Sequence, residues 1–351
     1  MSLPLIAVVM AGGRGTRFWP RSRALRPKQF LPMAGDQPLL VQTVERLRPD
    51  VEPRHVYVVT TEDLAEATRA LLPELPPENV IVEPEGRNTA PCLALALAVI
   101  ARRVPEGVMA VLSADHWIGD RDLFIGDLRV AAGHAEREGA LVTFGIRPAF
   151  PETGYGYIEA EGEGPVRAVR AFREKPDRAT AMDYVASGRH FWNAGIFVWT
   201  LKDMRAELQR HAPELLQPLE AWAAAGADAS TLAAAYGKLP KISIDYALME
   251  KSDRVAVVPA RFRWSDVGSW PAAAAFVDPD ARGNATQGDV VLVDADNCAV
   301  FGGRRLVACA GVQDLIVVDE PDALLVCRRD RAQEVKTIVE RLQAAGRTDL
   351  L

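Results

Sequence analysis

Along the first 150 residues, short and uniformly apolar runs alternate with longer segments whose apolar residues recur at helical spacing. The runs at 5–10, 56–60, 80–83, 108–113 and 140–146 predict strands, and the segments 39–47, 62–72, 90–104 and 123–138 predict helices between them. Strands that are apolar on both faces need cover on both faces. The alternation therefore predicts an α/β fold, with a Rossmann-like, mostly parallel sheet flanked by helices. In such sheets ligands bind beyond the carboxyl ends of the strands, so the residues that follow each run are the first candidates for chemistry.

After residue 150 the pattern loosens. GYGYIEA and VRAVRAFREKPD precede a predicted helix at 180–187, a strand-like FWNAGIFVW, and alanine-rich helical segments to about 236. SIDYALMEK predicts a helix with Ser243 as N-cap. From Gly283 onward short strands are broken by turns at Asp, Asn and Gly. No helix interrupts them until an amphipathic one at 331–344. The chain is expected to divide into 1–282 and a small β-rich part, 283–351, which is short for a core of its own.

Composition removes several classes. With 49% hydrophobic and 25% charged residues, the chain is globular rather than disordered. No apolar run is long enough to cross a bilayer, and the N-terminus carries no leader-like segment, so a cytoplasmic protein without a membrane partner is expected. Cys92, Cys298, Cys309 and Cys327 form no C-x-x-C pair, which favours reduced thiols over disulfides or zinc. A net charge of −6 argues against nucleic acid as a partner. Against that acidic background, six basic residues between Arg14 and Lys28 mark a site.

That cluster lies in LIAVVMAGGRGTRFWPRSRALRPKQF. Gly12, Gly13 and Gly15 let the backbone turn tightly after the first strand and let an anion approach the amides. Arg14, Arg17 and Lys28 would then neutralise phosphate charge, with Arg21, Arg23 and Arg26 either adding to it or staying solvated. The spacing is not that of a P-loop, and Phe18 stands where a dinucleotide fingerprint needs its third glycine. Taken alone, the loop fits a tight turn with a solvated basic face equally well.

Other polar residues stand at the ends of apolar runs. Asp115 follows the strand at 108–113 and reads as a site carboxylate or a helix N-cap. Asp266, in WSDVGSW, reads as a second carboxylate or a turn residue. His116 does not argue for zinc, because the five histidines are scattered. Thr89 in EPEGRNTAPC suits the cap of the following helix. Asn193, the polar side chain within FWNAGIFVW, must find a partner, either a ligand hydroxyl or neighbouring backbone. Glu174 and Lys175 of FREKP suit a hydroxyl and a phosphate, or an exposed pair before a turn. Gly156 of GYGYI reads as a close approach or a hairpin, and Asp245 as a charge near a helix N-terminus.

AGGRGTRFWPRSRALRPKQFLP resembles the signature of the nucleotide sugar pyrophosphorylases, and its Trp-Pro-x-Ser and Pro-Lys-Gln-Phe details resemble the mannose-1-phosphate guanylyltransferases. The resemblance continues, in the family's order, through EPEGRNTAP, SADH, GYGYI, FREKP, NAGIFVW, SIDYALMEK and WSDVGSW, and covers nearly the whole chain. It implies transfer of a guanylyl group from GTP to mannose 1-phosphate, with GDP-mannose and pyrophosphate as products. Arg17 and Lys28 would be catalytic. Ala11, Gly12, Gly13, Arg14, Gly15, Thr16, Pro84, Arg87, Asn88 and Thr89 would bind the nucleotide. Gly156, Glu174, Lys175 and Asn193 would bind the sugar phosphate. Asp115 and Asp266 would hold Mg²⁺ or another divalent cation.

The resemblance also implies that the tail is a left-handed β-helix-like unit packed on the catalytic part or on a second copy, which allows a homodimer. Some relatives carry a further isomerase domain, and no isomerase activity of that kind is expected of this chain. Two other readings stand beside the leading one: a nucleotidyltransferase for another sugar 1-phosphate or nucleotide, and a non-catalytic GDP-mannose-binding regulator. A dinucleotide-dependent redox enzyme is disfavoured by Phe18.

Overall fold

The structure, a computed structural model, describes residues 3–13 and 15–351. It forms two compact units. The first comprises residues up to Gly12, Thr43–Ala114 and Ile118–Trp264, and the second Gly13–Gln42, Asp115–Trp117 and Ser265–Leu351. The sequence places one division, at 282. The compact units are discontinuous, and the basic loop shares a unit with the tail.

After β1 (Leu5–Met10) the chain enters the second unit and returns within α1 (Leu39–Arg46). There follow β2 (Val56–Thr61), α2 (Glu62–Leu71), β3 (Val80–Glu83), α3 (Thr89–Ile100) and β4 (Val108–Ser113). The short β5 (Trp117–Ile118) precedes α4 (Arg121–Glu138), β6 (Leu141–Ile146), β7 (Tyr157–Glu161), β8 (Arg167–Arg173), α5 (Arg178–Ser187) and β9 (His190–Thr200). Helices α6 (Leu201–His211), α7 (Pro213–Ala224) and α8 (Ala229–Tyr236) lead to β10 (Val255–Pro259) and the short β11 (Trp264–Ser265).

The nine strands of the first unit form one sheet in the order β3-β2-β1-β4-β9-β6-β10-β8-β7. The pairs β1–β2, β1–β4, β2–β3 and β6–β10 are parallel, while β9 and β8 run against their neighbours. The parallel part is as apolar as its strands promised: Ile6–Val9, Val56–Val59 and Val108–Leu112 are buried. Helix α3 is apolar all round because it is enclosed, with Leu93 and Leu97 in one cluster with Leu215, Leu219 and Trp222 of α7.

Two local expectations are corrected. Asn88, not Thr89, caps α3, its side chain accepting from the Thr89 amide. In SIDYALMEK the Ser243 hydroxyl accepts from the Tyr246 amide at 3.4 Å, as a cap does, but the turn it opens is not a regular α-helix. The segment forms a π-helical turn, Asp245–Met249, in which the Glu250 amide donates to the Asp245 carbonyl. Such wide turns are frequent at functional sites.

In the second unit, α9 (Trp270–Ala274) is followed by β12 (Ala285–Gln287), β13 (Val290–Val293), β14 (Ala299–Phe301), β15 (Val307–Ala310), β16 (Leu315–Glu320) and β17 (Ala323–Arg328). Strands β12, β14 and β16 pair in parallel and β17 closes the edge antiparallel, while β13 and β15 pair in parallel in a second sheet. The circuits β12–β13 and β14–β15 thus add one strand to each sheet, a β-helix-like coil that β16 and β17 close on the first sheet. Asn284 locks one turn: it donates to the Ala295 carbonyl and accepts from the Cys298 amide. A 3₁₀ turn, Arg329–Glu334, replaces the first part of the expected last helix, and α10 (Val335–Ala344) follows. Phe18, Leu31, Trp270, Phe301, Ile316 and Val335 pack in one core cluster. Among the described residues no helix is long and apolar enough to cross a membrane.

Candidate functional site

The second unit contains a cavity of about 300 Å³ lined by Gly15, Thr16, Arg17, Lys28, Asp115 and Asp266, with Lys336 beside them. Lys28 is buried and donates to Asp115 Oδ2 at 2.9 Å and to the Asp266 carbonyl oxygen. Burial pushes the Asp115 carboxyl up, but the nearby Lys28 ammonium, His116 and its hydrogen bonds outweigh this and hold it below its ordinary range. The Asp266 carboxylate accepts from the Gly268 amide at 3.0 Å. Between them Val267 is held at φ 44, a strained conformation for a β-branched residue. Gly15 is required where it stands. Its φ is +57, and a Cβ there would lie 2.4 Å from the Lys28 Cβ. Gln29 donates to the Gly13 carbonyl at 2.8 Å and closes the loop. Arg14 lies outside the described residues.

The described cations of the loop do not share one task. Arg21 pairs with Glu320 at 2.8 Å and stacks over Trp270 and Phe301, and Arg23 pairs with Asp322 at 2.6 Å and lies over the Trp19 ring. Both are thereby tied to tail carboxylates. Arg26 is exposed and its backbone pairs with that of Arg23.

The expected base-binding residues lie in the first unit, after β3. Ala11 is held by its amide on the Val59 carbonyl at 2.7 Å. A Cβ at Gly12 would lie 3.3 Å from Glu83 Oε2. Glu83 itself is buried and bonded to the Tyr236 hydroxyl; burial raises its carboxyl to about 7, with the tyrosine opposing the shift. Pro84 follows directly. Arg87 is already engaged by Glu85 and by the Leu239 carbonyl. Asn88 holds φ 73, and the Thr89 hydroxyl accepts from the Ile244 amide at 2.8 Å.

Gly156, Glu174, Lys175 and Asn193 are brought together in the same unit. A Cβ at Gly156 would fall 2.6 Å from Glu174 Oε2, so only glycine leaves that carboxylate its place. Lys175 pairs with Glu174 at 2.8 Å, from a backbone at φ 48. Asn193 donates to Asp245 Oδ1 at 3.0 Å, and its own Oδ1 accepts from the Thr143 hydroxyl and the Gly195 amide. Asp245 therefore belongs to this cluster. Burial and then the Glu174 charge push its carboxyl up to about 6. Sequence reasoning took Asp245 for a charge at a helix N-terminus and left out Glu83. The signals were a carboxylate closing the apolar run at 80–83 for Glu83 and, for Asp245, the Asn193 amide that needs an acceptor.

Asp115 and Asp266 suit a hard cation that keeps several waters and shares phosphate oxygens. Among the described residues no group of three or more His, Cys, Asp or Glu side chains is placed to hold a metal by itself. The two carboxylates on one cavity fit a metal completed by a bound phosphate.

Comparison with known proteins identifies the family. The nucleotidyl transferase family profile matches residues 6–278, and the mannose-phosphate isomerase/GMP-like β-helix domain profile matches residues 288–342. A mannose-1-phosphate guanylyltransferase of Escherichia coli K12 is 43% identical over 98% of this chain and 74% of its own length. The xanthan biosynthesis protein XanB of Xanthomonas campestris is 40% identical over the same shares. The crystal structure of a protein named mannose-1-phosphate geranyltransferase, from Thermus thermophilus, is 38% identical, with a TM-score of 0.88 over 97% of this chain and all of that one. The chain belongs to the nucleotidyl transferase family, in the group of the mannose-1-phosphate guanylyltransferases.

Proposed function

We propose that the protein transfers the guanylyl group of GTP to mannose 1-phosphate, giving GDP-mannose and pyrophosphate. The observation that carries this reading is Lys28, fixed between the Asp115 carboxylate and the Asp266 carbonyl on a cavity that Arg17 also lines. In such a transfer a phosphate oxygen of the sugar attacks the α-phosphorus in line and pyrophosphate departs, so the protein's work is positioning and charge stabilisation.

Lys28 and Arg17 oppose the negative charge of the transferring group. Ala11, Gly12, Gly13, Gly15 and Thr16 bring backbone to the phosphates, and Arg14 is assigned to the same task by sequence. Asp115 and Asp266 hold Mg²⁺ or another divalent cation, which when bound draws charge from the phosphate oxygens. Pro84, Arg87, Asn88 and Thr89 surround the base and ribose. Glu174 accepts from sugar hydroxyls, Lys175 holds the sugar phosphate, and Gly156 and Asn193 shape that site together with Asp245. Residues 1–282 form the catalytic part and 283–351 the tail. A homodimer belongs to the reading, with exposed Val291, Val293, Leu324 and Val326 as its apolar surface; sedimentation showing only monomer at working concentration rejects it.

The deciding experiment is a matrix of nucleoside triphosphates against sugar 1-phosphates, with and without Mg²⁺, read by pyrophosphate release. Turnover confined to GTP with mannose 1-phosphate and Mg²⁺ is expected. Preference for another pair replaces the substrates. Tight GDP-mannose binding without turnover favours a regulator.

A further inference from the structure

We propose that Lys336, on the tail helix α10, binds the pyrophosphate end of the nucleotide, so that the tail supplies one cation of the phosphate cavity. This rests on the reading of that cavity given above.

The cavity is lined by Lys28, Arg17 and Lys336 against Asp115 and Asp266. Lys28 is committed to Asp115 and to the Asp266 carbonyl. A polyanion needs cations that are not already neutralised. Arg17 has no ion-pair partner among the described residues. Lys336 has Glu340, one helical turn on, at 3.5 Å, and its side chain is 62% exposed. Exposed pairs at that spacing are weak, so the ammonium is free to turn to a better partner.

The helix that carries it is not free. Val335, the neighbouring residue, is fully buried and clusters with Phe18, and α10 packs on the Thr16–Phe18 turn. The Trp19 indole donates to the Leu350 carbonyl at 2.8 Å, tying the chain beyond α10 to the same loop. A mobile ammonium on a fixed helix suits the leaving group, where charge develops and oxygens rotate, because a point charge needs no set orientation.

Steady-state kinetics of the full chain in reverse, with GDP-mannose and inorganic pyrophosphate, test the proposal. Lys336→Ala is expected to raise the KM for pyrophosphate roughly 10-fold, the worth of one charge-assisted contact. The KM for GDP-mannose and the melting temperature are expected to hold, and Lys336→Arg to restore most of the loss. An unchanged KM for pyrophosphate overturns the proposal, as do equal rises in both KM values with a lower melting temperature. Lys28→Ala, run alongside, separates the two readings. Retained turnover there removes the reading of the cavity itself, whereas lost turnover there with a wild-type Lys336→Ala removes only this inference.

Discussion

Lys28 donates to the Asp115 carboxylate at 2.9 Å, an ion pair whose lysine side chain is 5% exposed and whose aspartate is 37% exposed. The lysine is the enclosed partner and the carboxylate keeps a face on the cavity. Lys28→Ala is expected to lower kcat/KM by roughly 100- to 1,000-fold, the range for removing one preorganised charge from a transferring group. The same variant removes the cation that holds Asp115 down, so the Asp115 pKa rises; the acidic limb of the pH–rate profile then moves to higher pH. Near-normal kcat/KM in Lys28→Ala would take Lys28 out of the site.

Gly15 makes that pair possible. In Gly15→Ala the new Cβ meets the Lys28 Cβ at 2.4 Å and must adopt φ +57. The expected cost is about 1–3 kcal/mol of stability, with a higher KM for GTP as Lys28 is displaced. Gly13→Ala is the stability control: nothing lies within 4 Å of its added Cβ, so its unfolding free energy is expected to hold within about 0.5 kcal/mol. Denaturant melts of the two variants decide the matter, and equal stability for both would remove the steric argument.

The strands at 5–10, 80–83 and 108–113 are legible because a parallel strand covered on both faces must be apolar at nearly every position. The division of labour in the basic loop is not. Arg17 and Arg21 look alike in sequence, and what separates them is Glu320, brought from the tail by folding. Asp245 reads as a helix-start charge because its spacing suits one. The π turn instead aims its carboxylate at Asn193. The discontinuous units are likewise invisible to a reading that looks for one linker, since the core that joins Phe18 to Val335 is set by packing alone.

Glu83 gives stability a pH dependence. Burial raises its pKa from an ordinary 4.5 to about 7, the Tyr236 hydroxyl opposing the shift. Between those values the native state holds a proton that the unfolded chain has released. The contribution is therefore full below about pH 4.5 and is lost as pH rises through 7. The loss is on the order of 3 kcal/mol for the full span. Glu83→Gln carries no titrating carboxyl, so the difference in unfolding free energy between it and the parent is expected to change by that amount from pH 4.5 to 7.5. A difference independent of pH would mean that Glu83 is not held protonated.

Asp245 places a second titration in the sugar-binding cluster. Its pKa is pushed to about 6 by burial and by Glu174, while its hydrogen bonds and Lys175 oppose the rise. Above that value it is a carboxylate accepting from Asn193; below it a proton occupies the acceptor. The KM for mannose 1-phosphate is expected to rise as pH falls through 6 and the KM for GTP to stay flat. In Asp245→Asn the dependence shrinks to that of the substrate phosphate's own second ionisation, at about 6, and the KM is high throughout. A KM for mannose 1-phosphate that ignores pH between 5 and 7 in the parent would exclude Asp245 from sugar binding.

Arg21 separates the cations that hold the fold from those that meet phosphate. Its side chain is 16% exposed, and its guanidinium pairs with Glu320 at 2.8 Å and lies 5.7 Å over Trp270 and 5.6 Å over Phe301. Removing it leaves a mostly enclosed carboxylate without its partner and two aromatic faces without their cation. Arg21→Ala is expected to cost about 2 kcal/mol of stability, and Glu320→Ala to cost a similar amount, with the double variant costing less than their sum. At temperatures well below the melt, neither variant is expected to change the KM for GTP. Arg17→Ala is expected to do the reverse, raising that KM while leaving the melt in place, because the exposed Arg17 forms no ion pair among the described residues. If Arg21→Ala instead raises the KM for GTP at unchanged stability, the loop's cations act together on the nucleotide and the tail carboxylates only neutralise them in its absence.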